Sequence, residues 1–540
     1  MAERLRLRRV PFRLGSARRR NCGVSRRATS ADFYRFDMKN MRHFLLALFC
    51  WLSLTAHAAV DPALVQQLAA EESDDKIAAI QQIAATADPE AAKILQSLSD
   101  GTLTAPDGSE IMINNRIRGE LANALAGLRL FDADAKVRRA AAQELQTNVG
   151  IELAPLLARA IDKEADTEIK ALLLAAHAQA NLASADTAAR LAAVKALAGA
   201  PSPNARNLLL PLTQEANEAD AQVRTAAKQS LKEVEATLAV GENLGRVFTG
   251  LSLGSILLLA ALGLAITYGV MGVINMAHGE LLMVGAYATY AVQSIFRSYL
   301  PDYIDAYVIA AIPVAFFAAA AVGILLERTV IRHLYGRPLE TLLATWGLSL
   351  ILIQAARVLF GAQNVELANP EWMSGGVTLM AGLVLPWNRI VIIGFSLAVL
   401  LLVWLLMNKT RLGMFVRAVT QNRSMAGCVG VHTAKIDTAA FGLGAGIAGL
   451  GGVALSQIAN VGPDMGQGYI VDSFMVVVLG GVGQLAGAVW AALGLGVVTK
   501  FLEGWAGAVI AKIAVLVFII VFIQKRPQGL FALKGRFVDN

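Results

Sequence analysis

Charge is scarce in this sequence. Only 16% of its 540 residues are Asp, Glu, Lys or Arg, against about 25% in an ordinary soluble chain, so the composition points to a membrane protein. Cysteine is nearly absent as well, with Cys22, Cys50 and Cys428 the full set. The first two fall in segments read below as removable, which leaves Cys428 alone and excludes an intramolecular disulfide in the mature chain. Residues 60–241 contain no paired carboxylates, no Cys/His cluster and no nucleophile arrangement. That half is not expected to be an enzyme, and neither a cofactor nor a metal is expected.

What is present is unevenly spread. From about Val247, apolar runs of 18 to 25 residues follow one another with short breaks, each long enough to cross ~30 Å of hydrocarbon as a helix. Before Gly241 the chain is Ala-rich but well charged, so two unlike halves meet near residue 241. The net charge of +7 belongs to residues 1–40, which hold 12 basic and 3 acidic residues. Without them the chain is slightly acidic, and nothing else in it suggests nucleic-acid binding.

Those 40 residues precede "MRHFLLALFCWLSLTAHAAV". Met41, Arg42 and His43 make a short basic start, Phe44–Leu54 an apolar core of signal-peptide length, and Ala56-His57-Ala58 an A-x-A cleavage site. The expectation is a signal peptide at 41–59 with Met41 as the true start and 1–40 an over-extended N-terminus; an Arg-rich basic arm is the rival reading. Phe49 stands where a lipobox would need a small residue, so Cys50 is not a lipidation site.

Between 60 and 241 related phrases recur: "DADAKVRRAAAQEL", "DTEIKALLLAAHAQ", "DTAARLAAVKALAG" and "DAQVRTAAKQSLKE". Each opens with Asp at a plausible N-cap and continues with apolar residues at helical spacing. The period is imperfect. The pattern resembles HEAT-like helix pairs, which offer surfaces to other proteins; a generic Ala-rich helical bundle fits the same residues.

The second half, 242–540, predicts a polytopic helical bundle with spans near 247–267, 270–296, 307–327, 341–360, 389–407, 436–459, 469–481, 485–500 and 508–524. The seventh and eighth are short and Gly-rich, so eight or nine crossings are expected. The fold class is therefore all-α, a membrane bundle preceded by a soluble helical domain. Arg328, Arg332 and Arg337 mark one basic loop; Lys409, Arg411, Arg417, Arg423 and Lys435 mark a second; Lys525, Arg526, Lys534 and Arg536 mark the tail. Placing these in the cytoplasm puts the C-terminus inside and the N-terminal domain in the periplasm, in agreement with a signal peptide.

One stretch stands out: "GVINMAHGELLMVGAYATY" places Asn275, His278 and Glu280 in a segment otherwise ready to enter lipid. Ionisable groups within a span are expensive and usually face the bundle interior or a watery cavity. Asn275, His278 and Gly279 sit where a helix could be interrupted, freeing backbone groups to line a pathway. They either contact solute there or hydrogen-bond neighbouring helices and hold a kink. Thr345, Gln354 and Gln457 are further polar candidates within spans, with the same two readings. No second His, Cys or spaced carboxylate supports His278 as a metal ligand. Loop 408–435 reads as a short amphipathic helix, with Met414, Val416, Ala418 and Val419 among Arg and Gln. It suits a membrane-surface helix or a docking helix for a cytoplasmic partner.

Four ordered stretches carry a resemblance: "TYGVMGVINMAHGELLMVGAYATY", "TRLGMFVRAVTQNRSMAGCVGVHTAKIDTAAFGLGAGIAGLGGVAL", "VVVLGGVGQLAGAVWAALGLGVV" and "FIQKRPQGLF". Together they closely resemble the permeases of branched-chain amino-acid-type ABC importers across 247–533. With a secretory leader and an Ala-rich helical domain in front, the architecture resembles the urea permeases of that family. The resemblance implies alternating access in a multi-pass inner-membrane protein. The segment containing Arg411, Gly413, Arg417, Ala418, Ala426, Gly427 and Gly430 would couple it to an ATPase. The implied partners are a second homologous permease, two cytoplasmic ATP-binding subunits, a periplasmic solute-binding protein and membrane lipid. Nothing in the chain matches the phosphate-cradling pattern G-x-x-x-x-G-K-[ST], so ATP hydrolysis is expected on a separate protein. Branched-chain amino acids or short amides are the alternative solutes, and a passive channel the alternative mechanism.

Overall fold

The computed structural model describes residues 62–531, apart from 71, 87–88, 104–110, 147–148, 381 and 482. The segments expected to be a basic arm and a signal peptide, and the tail residues Lys534 and Arg536, lie outside these. Among the described residues the first part is a succession of helices: α1 (Pro62–Gln67), α2 (Ser73–Ala85), α3 (Pro89–Ser99), α4 (Asn115–Arg129), α5 (Ala135–Leu145), α6 (Ala154–Lys163), α7 (Thr167–Asn181), α8 (Thr187–Gly199) and α9 (Pro203–Leu212).

The recurring Asp residues do cap helices. Asp166 accepts the N–H of Glu168 at 2.8 Å, Asp186 that of Ala188 at 3.0 Å and Asp220 that of Gln222 at 2.7 Å. In the first phrase the cap is Asp134 rather than the opening Asp132, which instead accepts the Asp134 N–H. The Arg four residues after a cap adds a second tie. Arg138 and Arg190 each donate Nη1 to the two carbonyls just before their caps. Their remaining nitrogens grip a carboxylate ahead of a later cap: Arg138 holds Glu164 at 2.8 and 3.1 Å, and Arg190 holds Glu218 at 3.0 Å twice. Such fork-to-fork pairs fix geometry as well as charge. The Arg138 hydrogen bonds hold the Glu164 carboxyl down at about 2, overcoming the desolvation that raises it. Arg190 lowers Glu218 in the same way.

The boundary expected near residue 241 falls inside one unbroken helix. α10 (Ala221–Met271) has 51 residues, roughly 75 Å of rise, and α8 and α9 pack against its outer end. Its membrane portion is followed by α11 (His278–Tyr299), α12 (Tyr307–Thr329), α13 (Pro338–Phe360), α14 (Trp387–Lys409), α15 (Arg411–Gln421), α16 (Arg423–Cys428), α17 (Thr433–Ser456), α18 (Met465–Gly480), α19 (Leu485–Ala506) and α20 (Ala508–Lys525).

Seven of these helices are long and apolar enough to cross a membrane: α10, α12 (with the turn before it), α13, α14, α17, α19 and α20. The two remaining expected spans differ for separate reasons. α11 is 22 residues long, but His278, Glu280, Gln293 and Arg297 dilute its hydropathy. α18 has 16 residues, about 24 Å of rise, too short to cross alone. The eighth span, expected to be short, is a full 22-residue helix. The all-α expectation also missed a small antiparallel hairpin, β1 (Gly376–Met380) with β2 (Leu383–Pro386). There β-branched residues and Gly382, at φ +75°, favour strands and a turn, and β2 packs on α10 and α14.

Burial separates centre from rim. The apolar window of α17 is 89% buried and that of α10 72%, against 22% for α13 and α14 and 17% for α20. The centre is packed through small residues. A Cβ on Gly254 would stand 2.7 Å from the Ala492 carbonyl oxygen of α19, and one on Gly285 2.5 Å from Gly449 Cα of α17.

Candidate functional site

α10 stops at Met271 because Gly272 takes the left-handed region at φ +65°, its N–H bonding back to the Tyr268 carbonyl at 2.8 Å. Glycine adopts this helix-ending conformation without Cβ strain. The next residues are not helical, and the chain folds back before α11 begins at His278. His278 Nε2 lies 2.9 Å from the carbonyl oxygen of Ala260, which sits roughly 16 Å along α10 from its end. α11 therefore starts deep within the bundle.

The interruption frees backbone groups, and nearby side chains take them up. The Met276 N–H donates to Thr345 Oγ1 at 3.2 Å, and the Ala277 N–H to Asn275 Oδ1 at 3.0 Å. Gly279 lets the backbone of α11 approach the start of α18, where a Cβ would stand 2.8 Å from the Gly466 carbonyl carbon. Ser349 on α13 donates to Glu280 Oε1 at 2.7 Å. Three polar atoms at the break have no partner: Asn275 Nδ2, His278 Nδ1 and Glu280 Oε2. Their residues are at most 1% exposed. The Tyr287 hydroxyl, two turns further along α11, is also unpartnered, and its ring stacks on Phe360 with centroids 4.5 Å apart.

Asn275, His278, Gly279, Glu280 and Thr345 are thus brought together. Gln457 is buried elsewhere: its Oε1 accepts from Tyr307 at 3.2 Å and its Nε2 donates to Ser456 at 3.2 Å. It is a tie between helices, not part of the break. Gln354 is not at the break either. It lies nine residues after Thr345, half a turn away around α13, and is exposed beside Leu350, Ile351 and Val358. The sequence reading missed Ser349 and Tyr287. Ser349 follows Thr345 by one helical turn, and that spacing was the available signal.

The expected single amphipathic helix in loop 408–435 is two helices, α15 and α16. Asn422 divides them, ending the first and capping the second through a 3.0 Å bond from the Met425 N–H. Gly413 is buried against the Met407 backbone, and Arg417 donates to the Met407 carbonyl. Ala426 is buried and Ala418 half-buried. Arg411, Gly427 and Gly430 are exposed, and Gly430 has φ +90°. Met414, Met425 and Val429 present apolar surface, at 51%, 61% and 75% exposure. Among the described residues no three His, Cys, Asp or Glu side chains cluster so as to hold a metal.

The family "Branched-chain amino acid transport system / permease component" matches residues 246–524. The high-affinity branched-chain amino acid transport system permease protein BraD of Pseudomonas aeruginosa is 29% identical over 293 residues, 53% of this chain and 95% of its own length. The corresponding LivH proteins of Salmonella typhimurium and Escherichia coli are 28% and 27% identical over 292 residues, each covering 53% of this chain and 94% of the relative. No solved structure matches. With the matched region running from the membrane portion of α10 to the end of α20, the chain belongs to the family of branched-chain amino acid transport system permease components.

Proposed function

We propose that the chain is a permease subunit of an ATP-driven importer that takes up urea across the inner membrane. The observation that carries the permeation reading is the interruption at 272–277, which leaves an amide donor, an imidazole nitrogen and a carboxyl oxygen unpartnered in the bundle core. Unsatisfied polar atoms in such a place are costly, and a solute offering complementary groups would satisfy them. Urea offers N–H donors and a carbonyl acceptor and carries no charge. Among the described residues no basic side chain pairs with Glu280 or bonds to Asn275 or His278, so a zwitterion's carboxylate would find no cation there. The helices before α10 also support a specialised importer. The branched-chain amino acid relatives are matched over 94–95% of their length without them. We assign them to a HEAT-like periplasmic domain that follows a signal peptide.

The exposed Met414, Met425 and Val429 beside Arg411 and Gly430 suit a surface that docks an ATP-binding subunit. The apolar rims of α13, α14 and α20 suit lipid and a second permease. A periplasmic binding protein would deliver the solute. The second reading, uptake of branched-chain amino acids, is favoured by the names of the relatives. The test is uptake of labelled urea and labelled leucine at micromolar concentration in cells with and without the chain. Loss of energy-dependent urea uptake alone supports the proposal. Loss of leucine uptake with urea unchanged replaces the solute. Urea uptake that persists when the ATPase is inactivated replaces the mechanism with a passive channel.

A further inference from the structure

At the end of the bundle that carries α15 and α16 lies a second polar cluster. Glu327, at the end of α12, is fully buried. Its Oε2 accepts from Thr438 Oγ1 at 2.8 Å, and Arg332 reaches both its oxygens at 3.4 Å. Its Oε1 lies 3.0 Å from the Tyr335 hydroxyl. Arg423, the first residue of α16, keeps its side chain 43% exposed while reaching a buried partner. It pairs with the buried carboxylate of Asp437 on α17, and its guanidinium lies over the Tyr335 ring, 5.1 Å from the centroid. Burial, with the Glu327 carboxylate adding to it, pushes the Tyr335 hydroxyl's pKa up, so that it stays a donor.

The far side of Tyr335 meets the interruption. Its hydroxyl lies 2.9 Å from Met271 Sδ, and Met271 is the last residue of α10, directly before Gly272. Tyr335 therefore touches the exposed segment with its ring and the start of the helix break with its hydroxyl. Neither the family description nor the relatives' names assign these residues a role.

We propose that Arg423, Asp437 and Tyr335 are positioning residues that transmit movement of the α15–α16 segment to the break at Gly272. The step is mechanical. A shift of α16 carries the Arg423 side chain with it, and the guanidinium then pulls on its two contacts, the Asp437 carboxylate and the Tyr335 ring. The ring moves its hydroxyl against Met271, and Gly272 is the joint at which the chain turns. A glycine at positive φ between two rigid helices is where such a displacement is absorbed. The proposal rests on the reading of α15–α16 as the ATPase-docking segment.

The test compares the parent transporter, purified with its ATP-binding subunits and reconstituted in vesicles, with the Tyr335→Phe and Arg423→Lys variants. Tyr335→Phe keeps the ring beneath Arg423 and removes only the hydroxyl. Arg423→Lys keeps the charge opposite Asp437 and loses the planar contact with the ring. The readout is solute accumulated per ATP hydrolysed, with labelled urea, or with labelled leucine where the parent takes up that instead. The expected result is a fall of about five-fold or more in this ratio for each variant. The double variant should be no worse than the weaker single one, since both act on one contact. A merely structural role would lower yield or both activities together and leave the ratio unmoved; that outcome overturns the proposal.

A second readout needs no solute. In a cysteine-free background, Met276→Cys reports maleimide access at the break with and without ATP and vanadate. The expected ATP-linked change disappears in Tyr335→Phe. A change that persists there, or one absent from the parent, overturns the relay. A parent chain that recovers no ATP-binding subunit on purification overturns the docking reading itself. Recovered subunits with variants at the parental ratio overturn the relay alone.

Discussion

Ser349 donates a 2.7 Å hydrogen bond to one oxygen of the Glu280 carboxylate, and the other oxygen of that carboxylate has no partner. The serine holds the side chain in one orientation, so the open oxygen keeps a fixed place between α11 and α13. Glu280→Gln replaces an acceptor with an amide while keeping the volume. Initial uptake of labelled solute should fall about ten-fold or more, the scale of one lost charged hydrogen bond, with the amount of chain in the membrane unchanged. Ser349→Ala, which frees the carboxylate without removing it, should cost only a few-fold. Equal uptake in Glu280→Gln and parent would remove Glu280 from the pathway.

Close backbone contact at the centre makes a second prediction. A Cβ on Gly254 meets the Ala492 carbonyl and Leu493 Cα of α19, whereas one on Gly347 meets nothing within 4 Å. Gly254→Ala should destabilise the bundle by roughly 1–3 kcal/mol through overpacking. Gly347→Ala should be neutral or slightly stabilising, as alanine is the better helix former. Thermal unfolding in detergent distinguishes the two; a shared melting temperature would mean that α10 and α19 are not tightly packed there.

The Arg–Glu clamps make the outer helices sensitive to acid. Folding depresses the Glu164 and Glu218 carboxyls below their ordinary value of 4.5, Glu164 to about 2. Their contribution is complete above the unfolded value and drains away as pH falls from about 4.5 toward 2. Amide protection around α5 to α7, taken relative to the intrinsic exchange rate at each pH, should fall across that window. In Glu164→Gln the region should already be weaker at neutral pH, by roughly 1–2 kcal/mol, with a flatter acid dependence. Identical profiles for variant and parent would deny the clamp any role in stability.

A smaller and more local effect is expected at the caps. Asp186→Ala removes the acceptor for the Ala188 N–H and should cost about 1 kcal/mol, seen as faster exchange confined to the start of α8. Exchange that speeds up evenly through α7 to α9 would show instead that these helices unfold as one unit.

Much of this arrangement was legible in the sequence, for identifiable reasons. Asp caps declare themselves because the residue type and its position suffice, which is why Asp166, Asp186 and Asp220 were found. The error at Asp132 arose because two acceptors lie two residues apart and only the backbone decides between them. The break at 272–277 could be anticipated from polar residues in an apolar stretch, but its partners Thr345 and Ser349 lie on another helix. Gln354 misled because its polarity is visible in sequence and its outward direction is not. Arg423 read as one more loop cation; its pairing with Asp437 and its place over the Tyr335 ring join residues that are distant in the chain. The hairpin at 376–386 was hidden by its shortness, and the length of α10 by a composition change that its backbone ignores.

That long helix has a consequence of its own. α10 is a beam gripped near Gly250 and Gly254 by α19 and at Gly263 by α17, with about 45 Å of arm running from that grip toward its N-terminus. While it stays unbent, its ends cannot move independently. Outer helices packed on that beam therefore hold one handle of the joint, and Tyr335 rests on the other.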